Sequence, residues 1–173
     1  MFAQKTPKLQ ESDRTAFTTY YPSDIDPEKR IWPDVLMVGS IDPGIRNLAV
    51  RIESRGFKDN HPIKTIVWEK LHIKDEERKL QNNVDNLYFL ITNFLDQFLE
   101  YFKQCHLLII ERQLSKNYKA VRVSQHIISY FMFHFKNLYP NLPMIFEVDS
   151  KLKGKELGAS KHLNERGLKQ WAV

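Results

Sequence analysis

Apolar and polar positions along this chain repeat with two different periods, and the switches between them mark out its elements. Val35, Leu36, Met37, Val38 and Ile41 form a short apolar run suited to a strand buried on both faces, closed by the turn signal Pro43-Gly44. Asn47 to Glu53 then sets Leu48, Val50 and Ile52 against Ala49, Arg51 and Glu53, the alternation of a half-solvated strand that makes a hairpin with the first. A polar loop from Ser54 to Pro62 leads to Ile63–Leu71, a third strand antiparallel to the second. From Val84 to Phe102 the period lengthens. Val84, Leu87, Tyr88, Ile91, Phe94, Leu95, Phe98 and Phe102 follow the i, i+3, i+4 spacing of one helix face, read as a face packed on the sheet. Leu107–Ile110 is a second fully buried strand. Ala120, Val123, Ile127, Tyr130, Phe131 and Leu138 stripe a second helix that stops before Pro140. Met144–Val148 is a fifth strand, and a basic helix runs from about Ser160 onward.

The order is therefore β β β α β α β α, an α/β domain on a five-stranded mixed sheet. A helix between two strands of one sheet implies a crossover and parallel pairing. The strand Leu107–Ile110 then runs parallel to the first, and both end in an acid: Asp42 is carried into the Pro-Gly bend, and Glu111 follows Ile110 directly. Asp-Pro-Gly is also good turn chemistry, so capping the bend is the alternative role for Asp42. Two carboxylates converging on one sheet edge suit hard divalent cations bound through oxygen, with Mg2+ the expected ion and Mn2+ the alternative. Such ions serve phosphoryl transfer without His or Cys, with Asp42 as the bridging ligand and Glu111 as the second.

Charge and composition narrow the setting. The chain has 173 residues, enough for one domain with a sizeable core, and no apolar run long enough to span a bilayer. Residues 1–34 are polar, with four prolines and few aliphatics, and read as an extended, partly flexible arm whose Phe17, Tyr20, Tyr21, Ile31 and Trp32 can dock on the domain or a partner. The lone Cys105 excludes an internal disulfide and a Cys-cluster metal site, which fits a reducing compartment. Net charge is +5, and its distribution matters more than its size: Arg112, Lys116, Lys119 and Arg122 follow Glu111 with no acid among them, and Lys151, Lys153 and Lys155 open a second basic stretch. Such runs are candidates for contact with a polyanion, or plain solvated faces.

SIDPGIRNLAV, around Asp42, resembles the first motif of the RNase H-like Holliday junction resolvases, and LLIIERQ, around Glu111, resembles their second. The chain looks most similar to the group shared by poxviruses, other large DNA viruses and fungal mitochondria, related to bacterial RuvC. FEVDSKLKGKELGASKHL matches the family's later strand, basic loop and helix start more loosely. The resemblance covers residues 35–173. It implies an RNase H-like fold and a homodimeric, Mg2+-dependent endonuclease that cuts four-way DNA junctions by symmetric nicks during recombination and replication. No membrane and no small-molecule cofactor are implied. Asp42 and Glu111 carry over as catalytic metal ligands; Arg112, Lys116, Lys119, Lys151, Lys153 and Lys155 occupy stretches that face DNA. The viral group implies replication sites in the host cytoplasm, the fungal group mitochondria. The family adds a pair of aspartates on a C-terminal helix, in a stretch like KKDDLADS. After Glu111 this chain has Glu147, Asp149, Glu156 and Glu165, none in such a motif, so the domain is expected to be C-terminally incomplete. A non-catalytic junction-binding protein on the same fold is the first alternative. A phosphate-binding hairpin of the actin-like ATPases, which also follow a buried strand with Asp-x-Gly, is the second.

Overall fold

The computed structural model describes residues 17–21, 30–56, 62–73, 86–138 and 142–149. The helix expected from Ser160, the position Val84, and Lys151, Lys153 and Lys155 lie outside them. The elements are β1 (Phe17–Tyr21), β2 (Val35–Pro43), β3 (Asn47–Gly56), β4 (Lys64–His72), α1 (Asn86–Asp96), α2 (Leu99–Phe102), β5 (Leu107–Arg112), α3 (Tyr118–Phe135) and β6 (Met144–Asp149). The five expected strands are all present as β2 to β6. They form one mixed sheet in the order β1-β6-β5-β2-β3-β4, in which Phe17–Tyr21 supplies a further edge strand antiparallel to β6.

β2 and β3 form the hairpin, β3 and β4 continue it, and β2–β5 and β5–β6 are parallel pairs. The crossover inferred from the intervening helix is thus realised. Asp42 lies inside β2, paired across to Ala49, and the bend falls after it, where the Gly44 amide donates to the Asp42 carbonyl at 2.9 Å. A Cβ on Gly44 would run into the Asn47 carbonyl oxygen, so this tight turn needs glycine.

The continuous helix expected over Val84–Phe102 is broken. At Phe98 the backbone leaves the helical region (φ −116°, ψ 6°), which separates the short α2 from α1. The ring of Phe98 stays against Phe94, edge to face with centroids 5.4 Å apart. The break lets Phe102 reach the sheet as a fully buried residue.

One face of the sheet carries the core. Ile41, Leu48, Val50, Ile52, Leu108, Ile110 and Ile145 meet Ile91, Phe94, Leu95 and Phe102 from the α1–α2 side and Val123, Ile127, Phe131 and Phe135 from α3. Burying a side chain of this size stabilises by about 1.5–3 kcal/mol, so this layer is the principal source of stability. The alternation expected of β3 holds for Leu48, Val50 and Ile52 but fails for Glu53, which is 2% exposed although it belongs to the polar set. Arg51 and Arg55 both form ion pairs with its carboxylate, and this pairing makes the burial tolerable.

Candidate functional site

The same alternation that aims the apolar residues of β2 and β5 at the helices aims their neighbours at the opposite face. Cα partners across the parallel β2–β5 pair run Ser40 to Ile109 and Ile41 to Ile110, and one step further brings Asp42 beside Glu111. Both acids line an open pocket of about 200 Å³ together with Ser40, Ala49, Arg51, Trp68, Ile109 and Val148. The structure therefore brings together the two carboxylates singled out in the sequence. They stand at the C-terminal ends of adjacent central strands, the place where open α/β sheets gather functional groups.

Asp42 is exposed and Glu111 half-buried, so neither carboxylate is sealed in the core. Two accessible carboxylates beside a serine hydroxyl, Ser40, are an all-oxygen donor set. Mg2+ is commonly held by one or two carboxylates with water and substrate phosphate completing the shell, so the residues present fit that ion. Among the described residues there is no group of three or more His, Cys, Asp or Glu placed to hold a metal.

Arg51 and Trp68 belong to this site and were not singled out in the sequence. Arg51 is directly opposite Ser40 on one side and Trp68 on the other. Its Nε lies 2.8 Å from Glu53 Oε2, its Nη2 donates to Thr65 Oγ1 at 3.4 Å, and its guanidinium carbon sits 5.8 Å from the centre of the Trp68 ring. In the sequence Arg51 reads only as one solvated position of an alternating strand. The pairing register that carries it to the pocket is not written locally.

The basic residues divide. Lys116 and Lys119 are exposed just beyond β5, between it and the first turn of α3. Arg112 follows Glu111 and so turns to the other side of the strand, where its Nε is 3.5 Å from Glu147 Oε2; Glu147 also accepts from Ser124 Oγ of α3 at 3.2 Å. Asp149 pairs in register with Arg112, while Val148 pairs with Glu111. Strand alternation thus places Asp149 on the face opposite the two pocket acids. Cys105 is buried, donates to the Tyr101 carbonyl, and has its thiol pushed up to about 12 by burial, which makes it a packing residue rather than a nucleophile.

No protein-family model and no curated protein matches the sequence. Among solved structures the chain is similar to Thermus thermophilus RuvC, with a TM-score of 0.57 at 14% identity over 76% of this chain and 75% of that one. It is similar also to T. thermophilus RuvC in complex with Holliday junction substrate, with a TM-score of 0.54 at 14% identity, covering 77% and 74% of the two chains. The Fowlpox virus resolvase in complex with substrate Holliday junction DNA aligns with a TM-score of 0.44 at 20% identity, over 79% and 70%. The fold is RNase H-like. It is similar to the fold of RuvC, and in this chain the carboxylate pocket lies at the ends of the two central parallel strands.

Proposed function

We propose that this chain is a Holliday junction resolvase, a Mg2+-dependent endodeoxyribonuclease that hydrolyses phosphodiesters in four-way DNA and acts as a homodimer. The observation that carries the reading is the convergence of Asp42 and Glu111 in one open pocket at the ends of β2 and β5. The RuvC fold supports it, since one of the similar structures holds Holliday junction substrate.

Asp42 and Glu111 would hold the divalent ion through their carboxylate oxygens. When bound there, such an ion supplies Lewis-acid polarisation of the phosphoryl group and lowers the pKa of water. The chain's own contribution is placement. The β2–β5 pairing fixes both carboxylates on rigid strands, which limits the rearrangement required when a phosphate arrives. Arg51, oriented by the buried Glu53, offers a fixed positive charge at the pocket wall, and Lys116 and Lys119 offer mobile ones beyond β5 for backbone phosphates.

The test is incubation of the purified chain with a labelled four-way junction, with and without Mg2+, beside Asp42→Ala and Glu111→Gln. Paired symmetric nicks that need Mg2+ are expected. Each substitution should lower cleavage by on the order of a hundredfold or more, beyond the 10–100-fold that residues supporting a metal ligand cost. Cleavage that survives Asp42→Ala would sink the reading. A second reading, junction binding without cleavage, is supported by the similarity to RuvC in complex with Holliday junction substrate, which bears on binding alone. It predicts tight junction binding and no product at any Mg2+ concentration.

A further inference from the structure

Trp68 is 75% exposed on β4, with its ring on the pocket side of the sheet. A single exposed aromatic is ordinary on a protein surface. Three features set this one apart. It lines the same pocket as Asp42 and Glu111. Its ring is paired with the guanidinium of Arg51. Arg51 in turn forms an ion pair with Glu53, a carboxylate only 2% exposed that it shares with Arg55, and this pairing keeps its guanidinium on the pocket side of the sheet. Trp68, Arg51 and Ser40 stand in one cross-strand row, with Asp42 two residues along β2 from Ser40.

We infer that Trp68 and Arg51 form a stacking platform for one unpaired nucleobase of the DNA strand whose phosphate lies at the Asp42–Glu111 pocket. Adjacent strands are about 4.8 Å apart, so β4 lies about 10 Å from β2, a span that one nucleotide bridges from base to phosphate. An indole face accepts any base by stacking, and a guanidinium beside it contributes both a cation–π contact and charge for the adjoining phosphate. The chemistry selects strands with a base out of the duplex stack, because a fully paired base presents only its edges. The inference rests on the endonuclease reading and adds what that reading lacks: a reason for the site to prefer branched or unpaired DNA over a continuous duplex.

The experiment compares wild type, Trp68→Ala and Trp68→Phe for binding to fluorescein-labelled four-way junction, single-stranded oligonucleotide and linear duplex, by anisotropy without Mg2+. Tryptophan emission is followed in parallel on a Trp32→Phe/Trp171→Phe background, which leaves Trp68 as the sole indole. Stacking of one base corresponds to roughly 5- to 150-fold in affinity by alanine substitution. Trp68→Ala should weaken junction and single-strand binding by about tenfold or more, while Trp68→Phe stays within about threefold and duplex binding does not change. Trp68 emission should be quenched by single strands and not by duplex. Junction binding unchanged in Trp68→Ala, or a loss equal for duplex and junction, overturns the inference and leaves the endonuclease reading standing. Wild type that binds no DNA at all overturns the endonuclease reading first, and this one with it.

Discussion

His106 stands at the head of β5, and three of its polar groups are engaged. Its amide donates to the Met37 carbonyl at 2.8 Å, its Nδ1 accepts from the Met37 amide at 2.9 Å, and its carbonyl accepts from the Met144 amide at 3.0 Å. One residue thereby ties β2, β5 and β6 together beside the edge opposite the site. An Nδ1 that accepts must be unprotonated. Burial, and next the charge of Arg30, hold this imidazole below its ordinary value. His126, which meets Thr92 Oγ1 through Nε2 at 3.0 Å, is lowered too, chiefly by burial. A folded-state pKa below the unfolded value of about 6.5 gives stability that is fully present above pH 6.5 and lost as pH falls through the folded value. Urea unfolding should therefore show this stability constant above about pH 6.5 and falling as pH drops below it towards the lowered folded-state values. His106→Asn, which keeps an acceptor without a titrating ring, should flatten part of that slope. An unchanged slope would mean that His106 is as easily protonated folded as unfolded.

At the scale of elements, the close approach of β2 to the helices is decided by Gly39. A Cβ built there would lie 2.6 Å from Leu108 Cδ2 and 3.4 Å from two ring atoms of Phe102. Both neighbours are fully buried, so neither side chain has room to swing aside. Gly39→Ala should destabilise by about 1–3 kcal/mol, the ordinary cost of overpacking, as measured by urea denaturation. Leu108→Val on the Gly39→Ala background should recover part of that loss, because the two sites contact one another and their effects are not independent. Helical spacing explains α3. Its apolar stripe of Ala120, Val123, Ile127 and Phe131 faces the sheet, while Tyr130 on its flank donates to Asp96 Oδ1 at 2.6 Å and joins α3 to the end of α1.

At the scale of the molecule, strand order governs both stability and the site. β2 is central, with β3 on one side and β5 on the other, so Asp42 is surrounded by groups drawn from stretches more than sixty residues apart. β1 closes the other end by pairing Phe17, Thr18, Thr19 and Tyr21 with β6. A chain beginning after Tyr21 would leave the backbone edge of β6 open, and open edges recruit other strands. That shortened chain should lose roughly 1–3 kcal/mol at the cross-strand contributions typical of such pairs, and should self-associate with rising concentration in light scattering. Equal stability and a monodisperse monomer at all concentrations would show that β1 is not needed to protect the sheet.

The sequence by itself determined where the elements fall, because periodicity is local: Leu48, Val50 and Ile52 alternate, Ile91, Phe94 and Leu95 recur at helical spacing, and LLII is apolar throughout. Within LLII only Leu108 and Ile110 are buried while Leu107 and Ile109 are half-buried, so the strand expected to be fully buried is buried on one face. It also determined the two pocket acids, because a carboxylate at the end of a buried strand is chemically out of place unless something uses it. The tertiary structure alone decided the rest. β1 lay in a stretch without apolar alternation, and its partner β6 is more than a hundred residues away. Glu53 read as solvated, yet it is buried, a position made tolerable by Arg51 and Arg55, which pair with it from the same face of the strand. Arg51 and Trp68 joined the site only through the β2–β3–β4 register, in which each residue's opposite partner depends on where the turns fall and not on the residue itself. Periodicity tells a chain which face to bury; only pairing between distant strands decides which side chains become neighbours.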